Sequence, residues 1–115
     1  MSQQIGIFGG SFNPPHMAHL LIAETVREQF KLDKILWIPN AQPPHKESHL
    51  MAPAAHRMAM TRLATQRNEG FQVSTIEHER PGLSYTVDTI AALKQQRPGA
   101  NFHLIIGGDS LASFL

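Results

Sequence analysis

The stretch Ile5–His19, reading IGIFGGSFNPPHMAH, constrains this chain more than any other. Ile5, Ile7 and Phe8 read as a short apolar strand. Gly9 and Gly10 follow, and without a Cβ they permit a sharp turn and close approach of a ligand to the backbone. Asn13 suits a helix N-cap, and Pro14 suits the first helical position, where no N–H is needed. His16 and His19 are three apart, so they share one face of that helix at its N-terminal end. Unpaired backbone N–H groups and the positive end of the helix dipole lie there too. A glycine turn running into a helix N-terminus is an anion site, most often for phosphate, and two imidazoles beside it can donate to phosphate oxygens. The glycines match neither the G-x-G-x-x-G fingerprint nor the Gly-Lys-Ser/Thr ending of a P-loop.

The rest of the chain repeats a strand–helix alternation. A helix is expected from about Pro14 to Phe30, with Ala18, Ile22, Val26 and Phe30 as its apolar stripe. Lys34–Pro39 is an unbroken apolar run, the mark of a strand covered on both faces of a parallel sheet. Asn40–Pro53 is a long proline-bearing loop, and long loops are often functional. A second helix runs from Pro53 to about Arg67, with Met60, Leu63 and Ala64 as its expected buried side. Phe71–Ile76 alternates as a strand does. A polar turn leads into a third helix near Ser84 or Tyr85, with Val87, Ile90, Ala91 and Leu93 apolar and Pro98-Gly99 as its stop. Phe102–Gly107 reads as a further buried strand, and another helix starts after it.

This alternation predicts one α/β domain over 1–115, a doubly wound parallel sheet of Rossmann type. Ligands of such sheets bind at the carboxyl ends of the strands. Here those ends lead into Gly9-Gly10, Asn40 and its loop, the 77–84 turn, and Gly107-Gly108-Asp109. The unusual residues thus gather on one edge, as expected of a nucleotide site.

Composition narrows the classes. The 115 residues are 42% apolar and 17% charged, which is globular rather than disordered. A net charge of +1 gives no electrostatic case for nucleic acid. The absence of cysteine excludes disulfides and thiolate chemistry. The N-terminus lacks a signal-peptide pattern, and no apolar run approaches the ~20 residues of a membrane helix. A soluble cytoplasmic protein is the expectation.

Gly9, Gly10, Ser11, Phe12, His16 and His19 form the candidate phosphate cradle, with the two histidines as candidate catalytic donors. A zinc site is disfavoured, because cysteine and the His-Glu-x-x-His pattern are both lacking. His45-Lys46, after Pro43-Pro44, sits on the stiffened loop at the ligand edge and suits a phosphate contact. Asn40 can serve a ligand or its own turn. Ser84 and Thr86 suit either a helix cap or a ligand, and Tyr85 can stack on a planar base. Trp37, inside a strand, reads as core. Gly108-Asp-Ser-Leu111 resembles a serine-esterase label but lacks the later histidine that chemistry needs. Asp109 better fits ribose hydroxyls or a helix cap.

Gly9-Gly-Ser-Phe-Asn-Pro-Pro-His-x-x-His19, Ile38-Pro-Asn with Pro43-Pro-His-Lys46, Arg80-Pro-Gly-Leu-Ser-Tyr-Thr86 and Ile105-Ile-Gly-Gly-Asp109 occur in that order. Together they resemble the bacterial nicotinate-nucleotide adenylyltransferases, a branch of the nucleotidylyltransferase superfamily. Ala18 stands where the superfamily's H-x-G-H motif has glycine. The resemblance implies adenylyl transfer from ATP to nicotinate mononucleotide, giving deamido-NAD and pyrophosphate, with Mg²⁺ accompanying the ATP. It implies ATP contacts at Gly9, Gly10, Ser11, Phe12, His16, His19, Gly107 and Asp109. It implies nicotinate-mononucleotide contacts at Asn40, His45, Lys46, Ser84, Tyr85 and Thr86. No protein-held metal, nucleic acid or membrane partner is implied, and a homo-oligomer is compatible with it. The family's later Ile-Ser-Ser/Thr-x-x-x-Arg segment does not occur in these residues. A C-terminally truncated domain with little activity alone is therefore expected. The alternatives are a nucleotidylyltransferase for phosphopantetheine or another phosphate ester, and a non-catalytic nucleotide-binding fragment.

Overall fold

The computed structural model describes residues 2–10, 12, 15–40, 52–78 and 86–105, with side chains from 88 onward in the last segment. Four parallel strands form one sheet in the order β3-β2-β1-β4. They are β1 (Gln4–Gly10), β2 (Lys34–Pro39), β3 (Phe71–Val73) and β4 (Asn101–Ile105). The helices are α1 (Met17–Gln29), α2 (Ala54–Thr65) and α3 (Thr86–Gln96), and a 3₁₀ turn spans Ile76–His78.

The sheet divides the apolar runs between two layers, because successive strand residues face opposite ways. Ile5 and Ile7 join Leu36, Ile38, Ile76 and Leu93 on the α3 side. Phe8 joins Phe12, Ala23, Leu32, Ile35 and Trp37 on the α1 side. Gly6 faces that second layer, where a Cβ would meet the methyls of Ile35, Leu32 and Ile105 at 2.7, 3.0 and 3.2 Å. A side chain there would push apart three elements. The chain steps from β1 to β2 to β3 in one direction, then returns past β1 to β4. That reversal between β1 and β4 is the topological switch point, where doubly wound sheets bind ligands.

α1 ends in paired bonds, Leu32 N–H to Arg27 O at 2.9 Å and Lys31 N–H to Glu28 O at 3.4 Å. Lys31 takes the left-handed conformation this motif requires, at φ 55°. Leu32 then drops into the core at 5% exposure. Among the described residues no helix is long and apolar enough to cross a membrane.

Several sequence expectations change. α1 begins at Met17, with extended His16 as its cap, and not at Pro14. Its buried side is Ala23, flanked by Leu20 and Val26, while Ile22 and Phe30 of the expected stripe are exposed. A spacing of four drifts around a helix of 3.6 residues per turn, so that stripe leaves the core. On α2, Arg57, Met58, Thr61 and Thr65 are buried and Leu63 is exposed. β3 stops at Val73, and Ile76 enters the core from the 3₁₀ turn instead. β4 pairs only with β1 among the described residues and is half-exposed, unlike the doubly covered strand expected. Trp37 is fully buried, as its strand position implies.

Candidate active site

The site is built at the carboxyl end of β1. Both Gly9 and Gly10 belong to the strand, paired with Ile38 and Pro39 of β2. The chain therefore turns after the glycines and not at them. Phe12 adopts the left-handed region at φ 48°, unusual for a bulky side chain. Burial holds it there: Phe12 is 3% exposed, edge-on to Phe8 at 5.5 Å between centroids and 5.1 Å from Trp37. Its ring lies over Gly10, where a Cβ would come within 3.3 Å of it. Gly9 has no such neighbour; a Cβ there would meet only the Ile38 carbonyl, at 3.8 Å. The open side of Gly9 is room for a ligand to approach.

From this turn the chain enters α1 through the histidines. His16 is extended, and its main-chain N–H donates to Nδ1 of His19 at 3.0 Å. The carbonyl of His16 accepts from the N–H groups of His19 and Leu20. Because Nδ1 of His19 accepts, the neutral ring carries its proton on Nε2, the nitrogen remote from the helix backbone. The two imidazoles lie 4.0 Å apart at 36°, and the His19 ring stands edge-on to Phe12 at 5.3 Å. Two imidazoles and the first-turn amides thus gather on the α1 side of the carboxyl end of β1, while Gly9, in the register of Ile5 and Ile7, is open toward the other face. The chemistry of the histidine corner is hydrogen-bond donation to an anion.

Asn40 joins the same corner, since its N–H donates to the carbonyl of Gly10 at 2.9 Å. Carboxyl ends of β1 and β2 are thereby tied together. Thr86 is the first residue of α3. Ser11, His45, Lys46, Ser84, Tyr85, Gly107 and Asp109 lie outside the described residues, as do Asn13 and Pro14.

Sequence reading missed three buried polar residues that brace this edge. Arg57 is 2% exposed and donates from Nε to the carbonyl of Ala52, at the end of the 41–51 segment. Burial alone pushes its guanidinium pKa down. Glu77 accepts from the hydroxyl of Thr89, both at 5% exposure. Charged residues in a helical or loop context read as solvated, so Glu77 gave no signal. Arg57, Thr61 and Thr65 recur at four-residue spacing but read as a polar face; in the structure each threonine hydroxyl donates to the carbonyl one turn back. Among the described residues no group of three histidine, aspartate or glutamate side chains could hold a metal.

Residues 7–114 match the cytidylyltransferase-like family. The chain belongs to that family. It is 54% identical over 110 residues to a probable nicotinate-nucleotide adenylyltransferase of Salinibacter ruber, covering 96% of this chain and 56% of that one. To its counterpart from Geobacter sulfurreducens it is 57% identical over 105 residues, covering 91% and 49%. The chain thus spans about half the length of these curated relatives. In fold it is similar to the nicotinic acid mononucleotide adenylyltransferase of Plasmodium falciparum, solved in complex with NaAD. That match has a TM-score of 0.81 at 19% identity and covers 96% of this chain and 55% of that one.

Proposed function

We propose that this chain carries the nucleotide-binding machinery of a nicotinate-nucleotide adenylyltransferase, joining ATP and nicotinate mononucleotide into deamido-NAD with release of pyrophosphate. The observation that carries the reading is the His16–His19 pair on the first turn of α1, packed on Phe12 at the carboxyl end of β1. The names of the relatives, at 54% and 57% identity, support the choice of acceptor.

In this reading a mononucleotide phosphate oxygen attacks the α-phosphorus of ATP. One P–O bond forms, and the bond to the pyrophosphate leaving group breaks. The protein forms no covalent bond; it orients both nucleotides and stabilises charge on the phosphoryl oxygens. Gly9 and Gly10, with Ser11 and Phe12, shape the triphosphate cradle; His16, and His19 through Nε2–H, donate into it. Gly107 and Asp109 follow β4 in sequence and serve the adenosine half. Asn40, His45, Lys46, Ser84, Tyr85 and Thr86 serve the mononucleotide. Mg²⁺ enters on the triphosphate and screens its charge. The reading places the protein in the cytoplasm.

The test is calorimetric titration followed by a pyrophosphate assay. The 115-residue chain is expected to bind ATP and nicotinate mononucleotide but turn them over slowly. Continued through the region its relatives carry, it is expected to release pyrophosphate with nicotinate mononucleotide and not with phosphopantetheine. Failure of either nucleotide to bind, or turnover with phosphopantetheine alone, refutes the proposal.

A further inference from the structure

Trp37 stands one ring away from His19. Its main chain is held on β2 between Phe8 of β1 and Val73 of β3, in parallel register with both. The indole is fully buried and meets the rings of Phe8 at 5.0 Å, Phe12 at 5.1 Å and Phe71 at 5.2 Å between centroids. Phe12 in turn lies edge-on to His19 at 5.3 Å. A relay of contacts therefore runs from the middle of the sheet to the first turn of α1, through Trp37, Phe12 and His19.

Two features set this relay apart from ordinary packing. Phe12 belongs to no strand or helix and holds a left-handed main chain at φ 48°, which a bulky residue keeps only where its surroundings over-determine it. The rings of Phe8 and Trp37 supply that constraint. The second feature is the indole itself. Its Nε1–H is buried with no hydrogen-bond partner among the described residues, a cost that a phenyl or aliphatic side chain would avoid. What the indole adds is breadth: one rigid plate touches Phe71 on β3 and Phe12 beyond the end of β1 at once.

His19 is anchored through Nδ1, which accepts from the His16 main chain. Its tilt is set by the neighbouring rings of His16 at 4.0 Å, Phe12 at 5.3 Å and Phe8 at 6.0 Å. Phe8 is pinned by the strand ladder and His16 by the helix start, whereas Phe12 stays where side-chain contacts hold it. Resting on the functional reading above, we infer that Trp37 is a positioning residue for ATP: through Phe12 it holds the His19 imidazole in the plane from which it donates to phosphate. Asn40, on the mononucleotide side, is tied to the Gly10 main chain and not to the indole. Loss of the indole therefore discriminates between the two nucleotides.

The variants are Trp37→Leu, which removes the plate, Trp37→Phe, which keeps part of it and removes the unpaired donor, and Phe12→Leu. Nuclear magnetic resonance of labelled histidine follows the His19 ring, and titration calorimetry measures ATP and nicotinate mononucleotide separately. Trp37→Leu is expected to move the His19 ring signals, weaken ATP at least about fivefold and leave the mononucleotide within about twofold. Trp37→Phe is expected to do the same to a smaller degree, and it carries the test should Trp37→Leu fail to fold. Because the effect passes through Phe12, adding either Trp37 variant to Phe12→Leu should weaken ATP by less than about twofold more; general loosening of the core would add in full. Wild-type ATP affinity in the folded Trp37 variants overturns the inference, as does an equal loss of mononucleotide or full additivity with Phe12→Leu. If the wild-type chain binds no ATP, the functional reading fails; His19 ring signals unmoved by the Trp37 variants then separately overturn the relay.

Discussion

The main-chain N–H of His16 donates to Nδ1 of His19, 3.0 Å away across the first turn of α1. The His19 side chain thus caps the helix through Nδ1, which puts the proton of the neutral ring on Nε2. The two histidines should therefore respond differently to truncation. His19→Ala loses the cap and the contact with Phe12, costing about 1–2 kcal/mol of stability. His16→Ala keeps the main-chain donor but loses its ring's half of the capping box, which accepts from the His19 N–H, and should cost about 0.5–1 kcal/mol. If the proposed adenylyl transfer is right, each should slow it about 10²–10³-fold in the chain continued through the region its relatives carry. Thermal melts and steady-state rates check the split.

Gly9 and Gly6 make a matched pair of alanine tests. At Gly6 a Cβ meets three core methyls, so Gly6→Ala should cost about 1–3 kcal/mol. At Gly9 the nearest atom is 3.8 Å away, so Gly9→Ala should be neutral within about 0.5 kcal/mol. If a triphosphate uses that space, Gly9→Ala loses ATP affinity without losing stability. Chemical denaturation and ATP titration of both variants give the answer.

Glu24 bridges α1 to the residues after α2. It accepts from Arg27 at 2.5 and 3.3 Å and from Asn68 Nδ2 at 2.8 Å. The Arg27 hydrogen bond, partly opposed by burial, holds its carboxyl below the usual carboxylate range. A depressed folded pKa means stability that is present above the unfolded value and lost as pH falls through the folded one. The half-exposed pair contributes at most about 1 kcal/mol. Glu24→Gln should lower the neutral part of a stability-against-pH curve by up to about 1 kcal/mol, flatten its acid limb and leave the most acidic part nearly unchanged.

Arg57 is buried, and its Nε–H satisfies the Ala52 carbonyl at 3.0 Å. Arg57→Ala should cost about 2–4 kcal/mol through lost packing and that unpaired carbonyl. Arg57→Lys, lacking the planar fork, should recover less than half of it. Denaturant midpoints of the three proteins measure both effects.

Much of the architecture was legible beforehand. A short apolar stretch before the glycines marked β1, an unbroken apolar run marked β2, alternation marked the start of β3, and glycine and proline marked the stops between elements. The histidine pair was legible as well, since i, i+3 spacing places two side chains together in any helix. The faces of α1 and α2 were not. Leu20, Ala23 and Val26 turn inward because Phe8, Leu32, Ile35 and Trp37 await them, and those partners are distant in sequence. A threonine stripe on α2 reads as a solvated face until its hydroxyls are seen bonding back to the helix carbonyls.

From its residues alone this protein declares a parallel α/β sheet and two imidazoles at the mouth of its first helix, because strand and helix periods and turn chemistry act over a few residues. Packing decided the rest: the bend after Gly10, the His19 ring as a cap, and the clasp of Glu77 with Thr89. Each of these depends on groups brought together by the sheet, and a buried polar group can remain only where such a partner meets it.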